Sequence, residues 1–202
     1  MHVENYGWEA ETPESSNYIN PAILAVARKV GAKTVLDAGC GNGELCGLLA
    51  KNGLDAMGVD ADSLGVAIAN QRFPGIRFET GLFGNPPPRT GFDLVVSTEV
   101  VEHLYSPHEL PRFAFDALRP GGTFAISTPY HGYLKNMMLS VTDHWDAHHT
   151  AGWHGGHIKF WSRKTLSTLL NKAGFEVIDF VGVGRLPYLW KSMILVARKP
   201  DG

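Results

Sequence analysis

Residues 35–43 read Val-Leu-Asp-Ala-Gly-Cys-Gly-Asn-Gly and lead directly into the helix-forming stretch 44–50. An apolar run that stops at an acid and turns through three alternating glycines into a helix is the opening βα unit of an α/β sheet, with a nucleotide-type cofactor at its edge. Gly39, Gly41 and Gly43 lack Cβ atoms, so the chain can take positive φ and bring its amides within hydrogen-bonding distance of a ligand at the helix N-terminus. Asp60 closes a second short strand about twenty residues on, where an acid commonly takes ribose hydroxyls. A dinucleotide fingerprint wants Gly or Ala five positions after its first Gly so that helix and strand pack closely; Glu44 stands there, which disfavours a nicotinamide.

Short apolar runs alternate with amphipathic stretches along the chain. Helices are predicted over 21–30, 43–52, 63–73, 107–118 and 163–173, and strands over 34–37, 56–60, 76–80, 92–97 and 123–127. Such βα alternation means a mostly parallel sheet with helices on both faces. The end differs, because 175–183 and 193–198 read as two strands with no helix between them. At 202 residues the chain can bury one substantial core, and a single domain over 1–202 is expected, with no internal repeat or linker.

The formal charge of −2 gives no overall positive field to attract nucleic acid or an anionic membrane. The two cysteines, Cys40 and Cys46, do not make a disulfide framework. With no apolar h-region at 1–14 and no apolar run of membrane-spanning length, a cytoplasmic protein away from the membrane is expected. Oligomeric state is not legible.

The first motif, Asp37-Ala38-Gly39-Cys40-Gly41-Asn42-Gly43, resembles that of the class I S-adenosylmethionine-dependent methyltransferases. Further matches follow in order: Asp60 in the ribose position, Phe92-Asp93-Leu94-Val95-Val96-Ser97 as their fourth strand, and Leu118-Arg119-Pro120-Gly121-Gly122-Thr123-Phe124 as the turn into their fifth. The resemblance implies a Rossmann-like seven-stranded sheet of order 3-2-1-4-5-7-6 ending in an antiparallel hairpin, with S-adenosylmethionine as cofactor. It places Asp37, Gly39, Cys40, Gly41, Asp60, Ala61, Gly81, Leu82, Ser97 and Glu99 around that cofactor. Asp37 orders the glycine loop or meets the methionine amino group, Asp60 and its neighbour Ala61 meet the ribose, Gly81 and Leu82 the adenine, and Ser97 to Glu99 the methionine part. For Asp37 and Asp60 an ordinary strand-end acid capping the next turn, and for Leu82 plain core, remain alternatives. Asn85-Pro86-Pro87-Pro88 precedes the fourth strand and reads as a loop.

Glu99-Val100-Val101-Glu102-His103-Leu104 carries a second constellation. If a helical turn begins after the fourth strand, positions i, i+3 and i+4 share a face, and two carboxylates converge with an imidazole. Such donors suit Mg²⁺ or Mn²⁺, which could bind two vicinal substrate oxygens and lower a hydroxyl pKa. The pattern is similar to two metal-dependent families, the ubiquinone-biosynthesis O-methyltransferases and the small-RNA 3′-terminal ribose 2′-O-methyltransferases. The second similarity extends to 156–163 and 181–184. It implies a ligand set of Glu99, Glu102, His103 and His157, with His103 and His157 as catalytic residues. The competing reading has no metal: Glu102 orients the loop, and His103 caps the helix or acts as a base.

Residues 130–161 are too many for an ordinary βα connection. They hold six of the nine histidines and three of the five tryptophans, Trp145, Trp153 and Trp161, a composition that fits a substrate lid inserted over the sheet edge. For His144, His148, His149 and His154 a surface position is the better reading. Tyr6 and Trp8 close over the cofactor or pack in the core. With Lys135 and Lys159 as its only basic residues, opposed by Asp143 and Asp146, the segment offers little to RNA. The expected activity is methylation of a small hydroxylated or phenolic acceptor at oxygen. Nitrogen or carbon methylation, methylation of an RNA 3′ end, and a non-catalytic adenosylmethionine-binding partner protein are the alternatives.

Overall fold

The computed structural model describes residues 13–145 and 156–201. The readings made for Tyr6, Trp8, His148, His149, Trp153 and His154 lie outside them.

The elements run α1 (Ser16–Lys29), β1 (Thr34–Ala38), α2 (Glu44–Lys51), β2 (Asp55–Asp60), α3 (Ser63–Arg72), β3 (Arg77–Thr80) and β4 (Phe92–Ser97). A single 3₁₀ turn (Val101–His103) follows, then α4 (Glu109–Ala117), β5 (Leu118–Pro129), α5 (Tyr133–Val141), α6 (Arg163–Lys172), β6 (Glu176–Val183) and β7 (Ser192–Arg198). The seven strands form one sheet of order β3-β2-β1-β4-β5-β7-β6, as expected. Strand β7 runs antiparallel to both β5 and β6, and the other pairings are parallel.

Alternate residues of each central strand feed two cores, one per face. Leu36, Val95 and Phe124 pack with Leu110 and Phe113 of α4 and Leu166 and Leu170 of α6. Val35, Leu94 and Val96 pack with Ile19 and Ile23 of α1, Leu45 and Leu49 of α2 and Ala69 of α3. Helix starts follow capping chemistry: Asp62 accepts from the Leu64 N–H at 2.8 Å, and Ser162 and Thr165 form a reciprocal capping box at α6.

Helix α1 begins five residues before the predicted start and contains Pro21. Its first turn closes through Ser16 N–H to the Pro13 carbonyl (3.0 Å) and Ile19 N–H to the Ser15 carbonyl (3.0 Å). Pro21 removes one helical hydrogen bond, at about 3 kcal/mol, and burial of Ile19 and Ile23 at about 1.5–3 kcal/mol each offsets it. Helix α5 lies inside the segment read as a substrate-lid insertion, where no helix was predicted. Its outer face is apolar and exposed at Tyr133, Met137, Met138 and Val141 while Lys135 is buried, the reverse of the amphipathic pattern by which a helix is recognised.

Candidate active site

Strand β1 ends beside β4, where the strand order reverses, and the glycine loop crosses the carboxyl edge at that point. The Ser97 hydroxyl donates to the Ala38 carbonyl at 2.6 Å and ties the two strand ends together. Gly39 has φ +93°, and a Cβ there would lie 2.4 Å from Val100 Cγ2. Gly43, at φ +79°, leads into α2 with its α-carbon against Ala69 and Phe78. Glu44, at the position where a dinucleotide loop would carry its small residue, pairs with Arg72 of α3 at 2.5 Å.

The loop amides were expected to face a ligand, and the structure uses them internally. The N–H groups of Gly39 and Cys40 donate to the Val59 carbonyl at 2.7 and 3.1 Å, and that of Gly43 donates to the Cys40 carbonyl at 2.9 Å. The Gly41 N–H donates to Asp60 Oδ2 at 2.8 Å, while Asp60 Oδ1 accepts from Asp62 N–H at 2.8 Å. The bonds to the Val59 carbonyl carry the contact between β1 and β2 past Ala38 and draw these donors onto β2. Asp60 is 8 % exposed; burial raises its carboxyl pKa and the backbone N–H groups of Asp62 and Gly41 oppose the rise.

Asp37 is also buried, and burial pushes its carboxyl up to about 7, opposed by the Cys46 thiol, which donates to Oδ2 at 3.7 Å. Its Oδ1 has no partner among the described residues. Ala61 is exposed beside Asp60, and Gly81 donates its N–H to the Asp60 carbonyl at 2.8 Å, with Leu82 half-buried next to it. Asp37, Asp60 and Gly81 therefore close the edge formed by β1, β2 and β3.

On the other side of the switch point, Glu99 adopts φ +55°, a left-handed conformation that is strained for a side-chain-bearing residue. It is held there from two strands. Ser127 of β5 accepts from the Glu99 N–H (3.1 Å) and donates to Oε1 (2.8 Å), and Ser192 of β7 donates to Oε2 (3.0 Å). Burial pushes the Glu99 carboxyl up to about 7 against these hydroxyls.

The 3₁₀ turn is shorter than the helical turn expected after β4, and it does not include Glu99. Glu102, His103 and His157 do come together, with one ligand atom from each within 4.8 Å of the others. Glu99 is outside this group. The backbone achieves the convergence: Ile158 and Lys159 N–H both donate to the Glu102 carbonyl at 3.0 Å, and the Trp161 indole N–H donates to the Val101 carbonyl at 3.4 Å. The His103 and His157 rings meet edge to face with centroids 5.0 Å apart, and His103 Nδ1 lies 3.3 Å from the Gly156 carbonyl.

Glu102 is 1 % exposed, and neither carboxylate oxygen has a hydrogen-bond partner among the described residues. Burial, then the neighbouring Glu99 carboxylate, push its pKa well above the usual carboxylate range. The Thr128 hydroxyl opposes that rise without reaching hydrogen-bond geometry. An orphaned buried carboxylate beside two imidazoles fits a divalent cation, and fits equally a proton shared with a base. Sequence reasoning missed Ser127, Thr128 and Ser192, since polar positions in otherwise apolar strands carry no motif of their own.

A family model described as a methyltransferase domain matches residues 16–179. The chain is 31% identical over 159 residues to a probable S-adenosylmethionine-dependent methyltransferase of Mycolicibacterium smegmatis, covering 78% of this chain and 58% of that protein. It is 30% identical over 180 residues to a ubiquinone biosynthesis O-methyltransferase of Ruegeria pomeroyi, covering 85% of this chain and 71% of that one. Among solved structures, the methyltransferase domain of bacterial CtHen1 superposes with a TM-score of 0.70 at 24% identity, over 89% of this chain and 97% of that one. The matched span runs from α1 into β6 and takes in the glycine loop, the acid closing β2 and the turn after β4, and on that ground the chain belongs to the class I S-adenosylmethionine-dependent methyltransferases.

Proposed function

We propose that the protein transfers the methyl group of S-adenosylmethionine to an oxygen of a small hydroxylated or phenolic acceptor, as a single domain in the cytoplasm. The observation that carries this reading is the buried, unpartnered Glu102 carboxylate beside His103 and His157 at the end of β4.

Asp60 takes the ribose hydroxyls, with Ala61 alongside and Gly81 and Leu82 against the adenine. Asp37 receives the methionine ammonium at its unpartnered Oδ1. Gly39, Cys40 and Gly41 admit the cofactor close to the backbone, and Ser97 and Glu99 form the framework on its methionine side. The bound cofactor supplies a sulfonium methyl and leaves as the thioether. His103 takes the acceptor hydroxyl proton, and Glu102, beside it, stabilises the imidazolium. His157 orients the acceptor from the opposite chain segment.

A Mg²⁺ or Mn²⁺ ion would be held by Glu102, His103 and His157 and would supply charge stabilisation for a deprotonated oxygen. Glu99, held by Ser127 and Ser192, stands behind that set and not in it. RNA is disfavoured as acceptor because Lys135 is buried and the long segment carries little positive charge. Among the described residues no helix is long and apolar enough to cross a membrane.

Calorimetry with S-adenosylhomocysteine, paired with transfer of labelled methyl to a catechol in the presence and absence of chelator, tests the reading. One cofactor per chain and labelled ether product are expected. Loss of turnover in chelator with cofactor binding intact selects the cation, and full turnover there selects His103 as an unassisted base. Firm cofactor binding without turnover on oxygen, nitrogen or carbon acceptors overturns it in favour of a binding partner protein.

A further inference from the structure

A groove of about 440 Å³ lies between α5 and the β6–β7 connection, on the far side of β5 from the glycine loop. Its apolar wall is Met138 and Leu139 of α5 and Leu189 of the connection, and its polar groups include Lys135 and Arg185. The remaining polar groups are already engaged. Thr142 donates to the Met138 carbonyl at 2.7 Å, and His144 Nδ1 lies 2.6 Å from the Thr142 carbonyl. Neither cation has a direct ion pair among the described residues: Lys135 Nζ donates to the Lys191 carbonyl at 3.2 Å, and the carboxylates of Glu99 and Glu14 act on Lys135 and Arg185 through space without contact.

Lys135 is 6 % exposed. An ammonium is rarely buried without a carboxylate partner, since the lost hydration is uncompensated. Burial and the Arg185 charge hold its pKa down to about 8, against the Glu99 carboxylate. Two like charges converging on one mostly apolar groove are destabilising until an anion enters between them.

We propose that this groove binds the acidic end of the acceptor, a carboxylate between Lys135 and Arg185 with an apolar body along Met138, Leu139 and Leu189. The connection that carries Arg185 is braced for this role: Trp190 packs on Gly182 and stacks edge to face with Tyr130 and Phe180, at 5.1 and 5.4 Å. Lys135 links the groove to the candidate active site, because it feels the charge of Glu99 at the end of β4. The inference rests on the methyltransferase reading and narrows its acceptor to hydroxylated carboxylic acids with an apolar body.

Octanoate, octanol and inorganic phosphate, titrated separately into the full chain, test it without any turnover. Octanoate should bind at one site at least tenfold more tightly than octanol or phosphate. Arg185→Gln, an exposed change, should weaken octanoate at least tenfold and leave octanol and S-adenosylhomocysteine unchanged. Equal binding of octanoate and octanol, equal binding of phosphate, or an unaltered octanoate affinity in Arg185→Gln overturns the proposal. Failure of S-adenosylhomocysteine to bind the unmodified protein overturns instead the methyltransferase reading on which it rests.

Discussion

Asp60→Ala separates two roles that one carboxylate performs. Its oxygens accept from the Gly41 and Asp62 N–H groups, each at 2.8 Å, and a hydrogen bond to a charged group contributes about 1.5–3 kcal/mol. Alanine removes both, while relief of the burial that raises the Asp60 pKa returns part of the loss, so the cofactor-free fold should lose about 1–3 kcal/mol. For a chain of this length that lowers Tm by about 2–12 °C. If the same oxygens also take the ribose hydroxyls, S-adenosylhomocysteine affinity falls by about 1.5–3 kcal/mol, or about 10- to 150-fold. The 2′,3′-dideoxy analogue of S-adenosylhomocysteine isolates that contact in calorimetry. The unmodified protein should discriminate against the analogue and Asp60→Ala should not. Full discrimination retained by Asp60→Ala would refute the ribose assignment even if the variant is less stable.

The burial of Asp37 fixes a pH dependence. Its folded pKa, about 7, lies above the ordinary 3.8, so between those values the folded state binds more protons and stability falls as pH rises. Urea midpoints should decline from pH 4.5 to 7, by up to a few kcal/mol at about 1.4 kcal/mol per unit, and Asp37→Asn should flatten the decline; an unchanged slope rejects the assignment. Gly39→Ala forces a Cβ to 2.4 Å from Val100 Cγ2 at φ +93°, and should cost about 2–4 kcal/mol in urea unfolding, with Val100→Ala restoring part; a loss under about 0.5 kcal/mol would contradict the packing. Glu102→Gln keeps shape and burial but removes the acid that can ionise beside a protonated His103, so turnover should drop about 100-fold or more with S-adenosylhomocysteine affinity unchanged. Near-normal turnover would remove Glu102 from the chemistry.

Most element positions were legible because each strand pairs an apolar run with a turn signal, and β4 was read to the residue, whereas the sheet order came from the family resemblance and not from the residue pattern. Helix α1 was misplaced because Pro21 is a strong local stop that the burial of Ile19 and Ile23 overrides. Helix α5 escaped because its exposed face is apolar, so its periodicity carries no sign of an inside and an outside. The meeting of His157 with Glu102 and His103 was suggested by resemblance, yet the spacing of Glu99 also suggested a fourth member. Sequence spacing could not show that Glu99 takes positive φ and turns to Ser127 and Ser192. Lys135 and Arg185 are fifty positions apart on elements with no shared motif, and only the fold brings them to one groove.

The internal pairing of the glycine-loop amides bears on the rhythm of turnover. A loop whose N–H groups wait for phosphate or carboxylate is poorly ordered when empty and must reassemble around each incoming ligand. Here Gly39, Cys40, Gly41 and Gly43 donate within the protein, to Val59, Asp60 and Cys40. The shape of the loop is therefore set by the chain's own hydrogen bonds, a form of preorganisation in which ordering the loop is a cost of folding and not of binding.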